Sequence, residues 1–159
     1  MENDNHTIGF TGTRNGMTAQ QKITVTSFLE TLKQNESIPG IIGLHGDCVG
    51  ADEDFHNICR ILGFVVNQRP CTATSLRAHT DAVAIAEPIA PLERNQKIVD
   101  DCDALLACPP TFEELRRSGT WSTIRKGRIK AGIQVIIVYP DGQIAEDTYG
   151  VLGEPKCLN

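Results

Sequence analysis

Ala104-Leu105-Leu106-Ala107-Cys108, followed after one long loop by Arg117-Ser118-Gly119-Thr120-Trp121-Ser122-Thr123-Ile124-Arg125, is the stretch that decides the fold. The first segment is a short, unbroken apolar run, the pattern of a strand covered on both faces of its sheet. The second opens a helix with serine, glycine and threonine. A helix start leaves its first backbone N–H groups without intrahelical partners and carries partial positive charge. It therefore accepts phosphate or carboxylate, although an ordinary N-cap has the same residues. Arg116, Arg117, Arg125 and Lys126 flank the site.

The same strand-then-helix unit extends in both directions. Thr7–Thr11 reads as a strand and "GTRNG" as the loop after it. Thr18 with Gln21 forms a capping box, and Val25, Phe28, Leu29 and Leu32 follow helical spacing. Ile41–Leu44 is a second buried strand after the Pro39-Gly40 break. The turn "HGDCVGAD" leads into a helix with Phe55, Ile58, Cys59 and Leu62 on one side, ended by Gly63. Phe64–Val66 is the third strand, and Val83–Ala86 reads as a short one between segments rich in Thr, Pro and Ala. A helix from Leu92 to Cys102 buries Ile98, Val99 and Cys102. The helix from Ser118 to about Lys130 and strand Val135–Tyr139 complete the core, and Asp141-Gly142 makes a turn. Alternating strands and helices imply βαβ units and a parallel sheet. The expectation is one doubly wound α/β domain spanning 1–159, with its core over about 7–142 and residues 143–159 a peripheral addition.

At 159 residues the chain is long enough to bury a core without disulfides or metal. A net charge of −5 argues against a general nucleic-acid binder. The N-terminus is polar and acidic, unlike a signal peptide, and no apolar stretch approaches the roughly 20 residues that span a bilayer. A cytoplasmic location with reduced thiols is expected, with no membrane partner. Cysteines 48, 59, 71, 102, 108 and 157 form no metal spacing, nor do histidines 6, 45, 56 and 79. No metal or cofactor is expected. Cys59 and Cys102 read as small core residues. Cys48 stands apart, inside a glycine turn, with no His or basic residue visibly arranged to activate it.

Ligands of open parallel sheets bind beyond the carboxyl ends of the strands. Three glycine-containing turns fall there: Gly12-Thr13-Arg14, Gly46-Asp47-Cys48-Val49-Gly50-Ala51-Asp52 and Ser118-Gly119-Thr120. The dinucleotide spacing G-x-G-x-x-G and the Walker lysine are both absent. Arg14 suits a phosphate or a base, or simply the surface. Asp52 suits the helix dipole or a ribose hydroxyl. Arg94-Asn95 opens another helix where an arginine could meet a phosphate or a salt-bridge partner. His45 ends a strand at the same edge. Glu113-Glu114 with Arg116-Arg117 reads either as a solvated charge run or as a source of a carboxylate.

Taken together, "GTRNGMT", "HGDCVGADEDFH", "PLERNQKIVDDCDALLACP", "RSGTWSTIRKGRIKAG" and "YPDG" resemble the SLOG superfamily. That superfamily joins DNA-processing protein A to the LONELY GUY phosphoribohydrolases, and the closest likeness is to its small stand-alone bacterial and phage members. The resemblance runs from Gly9 to Gly142 and implies a Rossmann-like fold, a nucleotide-derived ligand and a homo-oligomer. In the phosphoribohydrolases a helix-opening arginine corresponds to Arg94, and a "GTxxE" loop supplies a catalytic glutamate. Thr123 occupies that glutamate position here, and threonine cannot ionise near neutral pH or stabilise an oxocarbenium-like centre. Glu114 or Glu113 would have to substitute. The expectation is therefore binding, as sensor or sequestering protein, of a phosphorylated nucleoside or ADP-ribose-like molecule. Gly12, Thr13, Ser118, Gly119 and Thr120 would hold phosphate through backbone. Arg14, Arg94 and Asn95 would add charge and hydrogen bonds, Asp47 or Asp52 would meet a ribose, and Gly46, Gly50 and Ala51 would bind the nucleotide with them. Hydrolysis of a nucleoside monophosphate, through Arg94 and Glu114, is the alternative. Single-stranded DNA binding ranks third, because the chain is acidic and has only 5% aromatic residues on which bases could stack.

Overall fold

A computed structural model describes residues 5–149 and 155–158. Strands β1 (His6–Gly12), β2 (Ile41–His45), β3 (Val65–Gln68), β4 (Ala84–Ile85), β5 (Ala104–Cys108), β6 (Gln134–Val138), β7 (Ile144–Tyr149) and β8 (Pro155–Leu158) form one sheet. Their order is β4-β3-β2-β1-β5-β6-β7-β8. Pairings from β4 through β6 are parallel, and those of β6 with β7 and β7 with β8 are antiparallel. Helices α1 (Ala19–Gln34), α2 (Ala51–Ile61), α3 (Pro91–Asp101) and α4 (Gly119–Ile129) supply the crossovers.

The sheet is covered on both faces, which explains the unbroken apolar runs. Within β5 alternate residues face opposite ways. Leu106 and Cys108 join Phe10, Val25, Leu29 and Phe55 beneath α1 and α2. Leu105 and Ala107 join Ile98, Val99, Trp121 and Ile124 beneath α3 and α4. Each fully buried Leu, Ile, Val or Phe among them contributes about 1.5–3 kcal/mol by leaving water. Phe10 and Phe55 stack at 4.5 Å between ring centroids, seating α2 on β1. Cys59 and Cys102 are indeed buried core residues, and burial pushes their thiols up to about 12 and about 11. No helix of the described residues is long and apolar enough to cross a membrane.

This is the Rossmann-like doubly wound α/β arrangement that the sequence predicts. In the C-terminal tail, residues 144–149 and 155–158 are strands that widen the sheet beyond β6. The segment "IAEDTY" is polar and lacks the apolar run that marked the other strands, as suits an edge region. The capping box at Thr18 is present, and Gln21 does more than close it. Its buried side-chain amide donates to the carbonyls of Pro109 and Val138, both at 3.0 Å. The helix thereby fixes the start of the loop that follows β5.

Candidate functional site

In the sheet order β1 and β5 are neighbours. The chain leaves β1 toward β2 and leaves β5 toward β6, so crossovers diverge between them. A crevice opens at such a switch point beyond the strand ends. Here it is a cleft of about 420 Å³. The loop after β1 contributes Gly12, Thr13, Arg14 and Asn15; the β2–α2 turn contributes Cys48 and Asp52. The start of α3 contributes Pro91, Leu92, Arg94 and Asn95, and the β5–α4 loop contributes Pro110, Arg117, Ser118, Gly119 and Thr120.

Helix α4 starts as the sequence implied. Ser118 is the N-cap, and its hydroxyl accepts the N–H of Trp121 at 3.3 Å. Among the described residues no protein group accepts the N–H of Gly119 or Thr120, and both residues line the cleft. Helix α3 starts on the same cleft with Pro91, without a side-chain cap. The long loop before α4 is tied down from behind. Trp121 Nε1 donates to the Thr111 hydroxyl at 3.1 Å, and Arg125 reaches the carbonyls of Leu115 and Arg116.

Arg94 is buried at 6% exposure, and its guanidinium is largely committed to the protein. Nη1 donates to the Gly46 carbonyl at 2.6 Å, Nε to the Asn95 side chain at 2.8 Å and Nη2 to Cys48 Sγ at 3.3 Å. These bonds use three of the five N–H groups of a guanidinium. A Cβ at Gly46 would collide with that guanidinium, so glycine is what lets the turn pass. Asp52, also 6% exposed, accepts the N–H of Cys48 at 3.0 Å. Burial raises its carboxyl to about 6, although the Cys48 and Gly46 N–H groups and Arg94 pull the other way. The Cys48 thiol is raised by burial and by Asp52, which outweigh Arg94. A basic neighbour is thus present, contrary to the sequence reading, without making the thiol acidic.

Several expected site residues lie elsewhere. Asp47 does not line the cleft; it is fully buried with a positive φ of 57°. Its carboxylate accepts from Arg77 Nε at 2.9 Å and from the Thr80 N–H and hydroxyl at 2.9 and 2.7 Å. It clamps the excursion between β3 and α3, which contains a 3-10 turn at Thr74–Leu76. Gly46, Gly50 and Ala51 are also behind the lining. Gly50 has φ +91° and abuts the Arg14 carbonyl, and Ala51 N–H donates to the Thr13 carbonyl at 2.9 Å. The first N–H of α2 is therefore spent on the chain itself. His45 is buried against His56, with Nε2 and Nδ1 3.0 Å apart, and burial lowers it to about 3.

Glu114 does not line the cleft and is paired with Arg125 at 2.8 Å and Arg128 at 3.6 Å. Thr123 is fully buried and donates to the Gly119 carbonyl at 2.9 Å. Neither residue is among those lining the cleft. Asp52 is the only carboxylate among the described lining residues, against Arg14, Arg94 and Arg117.

No family model, curated protein or solved structure matches the chain.

The arrangement can hold an anion by charge and backbone, and it offers one buried, protonatable carboxyl beside it. Phe10 is the one aromatic ring among the lining residues, and it is fully buried in the core. The exposed Phe112 stacks on Tyr139 instead of facing the cleft. What sequence reasoning missed is the inward turn of Arg94 and the partner of Asp47, Arg77. The helix-opening position of "LERN" signalled the first; nothing local signalled the second.

Proposed function

We propose that the cleft binds a phosphorylated nucleoside or a related nucleotide-derived small molecule, as a sensor or sequestering protein. One observation carries this reading: the unpartnered N–H groups of Gly119 and Thr120 share a cleft with Arg14 and Arg117 at the sheet's switch point. A helix start, two exposed guanidinium groups and a low-dielectric floor all favour a phosphate there. A volume of about 420 Å³ is in the range of small-molecule sites. Pro91, Leu92 and Pro110 give an apolar wall against which a base or ribose can lie. The motif resemblance to the SLOG superfamily agrees with such a ligand. Calorimetry of the purified protein against a panel of nucleoside mono- and diphosphates, ADP-ribose and ribose 5-phosphate tests it. Saturable binding of at least one member, lost in Arg14→Ala/Arg117→Ala, is expected. No binding across the panel overturns the reading.

A second reading, hydrolysis of a nucleoside monophosphate to free base and ribose 5-phosphate, is favoured by Asp52 alone. Its buried carboxyl lines the cleft and is poised near neutrality, as a general acid–base group must be. The role expected of Glu114 would fall to it. Chromatography of nucleoside monophosphates after incubation decides this reading: base release that disappears in Asp52→Asn supports it, and unchanged substrate removes it.

A further inference from the structure

Asp52 and the anion-holding elements share one small space. Its side chain is 6% exposed and lines the cleft with Arg14, Arg117, Gly119 and Thr120. One carboxyl oxygen takes the Cys48 N–H at 3.0 Å, which orients the group from the β2–α2 turn. Around it the charged and titratable neighbours are few. Arg94 comes from α3 and Asp47 and Cys48 from its own turn, while Arg14 and Arg117 stand on the β1 and β5 loops. Arg94 is already engaged by Gly46, Asn95 and Cys48. A phosphate entering this cleft adds negative charge next to a carboxyl already out of water. Two like charges in a desolvated site do not both ionise; the one with the higher proton affinity takes a proton.

We infer that the cleft takes its phosphorylated ligand together with one proton, which comes to rest on the Asp52 carboxyl and turns it from a hydrogen-bond acceptor into a donor toward the ligand. This rests on the proposed ligand class and adds how its binding is regulated. The proton comes from solvent, and no covalent bond to the ligand forms or breaks. The free carboxyl already titrates at about 6 through burial, so it is mostly ionised at pH 7. Raising it by roughly two further units on binding makes it mostly protonated, an uptake of about 0.8 proton per ligand. Affinity then falls as pH rises, by up to about six-fold per unit near pH 7 and by about three-fold per unit at pH 6 and 8.

The test is calorimetric titration of adenosine 5′-monophosphate at pH 7 in buffers of different ionisation heat, with wild type and Asp52→Asn. The asparagine oxygen still accepts from Cys48, so the turn is retained, and a thermal melt verifies folding. Both proteins are titrated with the same ligand, so the difference in protons taken up reports the Asp52 carboxyl together with its coupling to the phosphate. A difference near 0.8, with a flatter pH profile in Asp52→Asn, is expected. Binding by wild type with equal proton counts in the two proteins overturns the inference while leaving the ligand class intact. Where another member of the panel binds in place of adenosine 5′-monophosphate, the same comparison is made with it. Absence of wild-type binding across the whole panel sinks the ligand class on which the inference rests, and the inference with it.

Discussion

Replacing Gly119 by proline removes a single backbone N–H from the cleft and leaves the fold in place. Gly119 is the first residue of α4, the position where proline is accepted because its missing donor has no helical partner. Ser118 before it has φ −87° and ψ 127°, the extended conformation that a following proline requires. No atom outside the immediate chain lies within 4 Å of a Cβ built there. Folding stability should therefore be unchanged or rise by a few tenths of a kcal/mol through a stiffer unfolded chain. If the Gly119 N–H holds a phosphate, one charge-assisted hydrogen bond worth about 1.5–3 kcal/mol is lost. That is roughly a ten- to hundredfold weaker Kd. Gly119→Ala keeps the N–H and serves as the control, with a Kd within about threefold of wild type. Calorimetry with the best-binding nucleoside monophosphate and urea denaturation separate affinity from stability. Wild-type affinity in a folded Gly119→Pro protein would refute phosphate holding at this helix start.

Asp47→Ala leaves Arg77 without its carboxylate and Thr80 without an acceptor, in a site with no exposed surface on the aspartate. A loss of about 3–5 kcal/mol is expected, seen as a melting temperature lower by about 10 °C. Burial alone would raise this carboxyl, but Thr80 and Arg77 together hold it below its ordinary value. Its contribution is thus complete above about pH 4 and is lost as pH falls through the folded value. The gap between wild type and Asp47→Ala should narrow below about pH 4, and a constant gap would contradict the assignment. Asp52 has the opposite sign, because its folded carboxyl is raised to about 6. It costs stability once pH exceeds the unfolded value near 4, so Asp52→Asn should stabilise the free protein at pH 8 by up to about 2–3 kcal/mol and much less at pH 4. Equal effects at both pH values in chemical denaturation would count against this. Gly50→Ala must place a Cβ on the Arg14 carbonyl at φ +91°, and a loss of at least about 2 kcal/mol is expected in the same assay.

The fold was legible wherever burial leaves an unbroken apolar run or a helical stripe. The apolar run Ala104–Cys108 coincides with β5 end to end, and the capping box at Thr18 announces α1. Helix α4 runs Gly119–Ile129 with Ser118 as its cap, as "RSGTWSTIR" suggested. The short strand β4 was visible through Val83 and Ile85, while β7 was not, because its polar residues carry no such signal. The site was legible where it rests on backbone: Gly12, Thr13, Ser118, Gly119 and Thr120 do meet on one cleft. It was illegible where it rests on contacts distant along the chain. Asp47 meets Arg77 and Thr80 across an irregular excursion, and Arg94 turns inward to a carbonyl of another turn. No periodicity encodes such pairings. Asp52 and Asp47 look alike as acidic residues of one glycine turn, and only burial and partners separate the cleft carboxyl from the clamp.

The bond from Arg94 to the Gly46 carbonyl crosses the switch point, joining a helix on one face of the sheet to a turn whose helix packs on the other. The two half-sheets are thereby stitched together at the floor of the cleft, by residues far apart in sequence. A partly folded chain with only one half formed cannot possess this floor, so ligand affinity should appear in refolding only with the last cooperative step. For the same reason a ligand seated there would slow amide exchange on both halves at once.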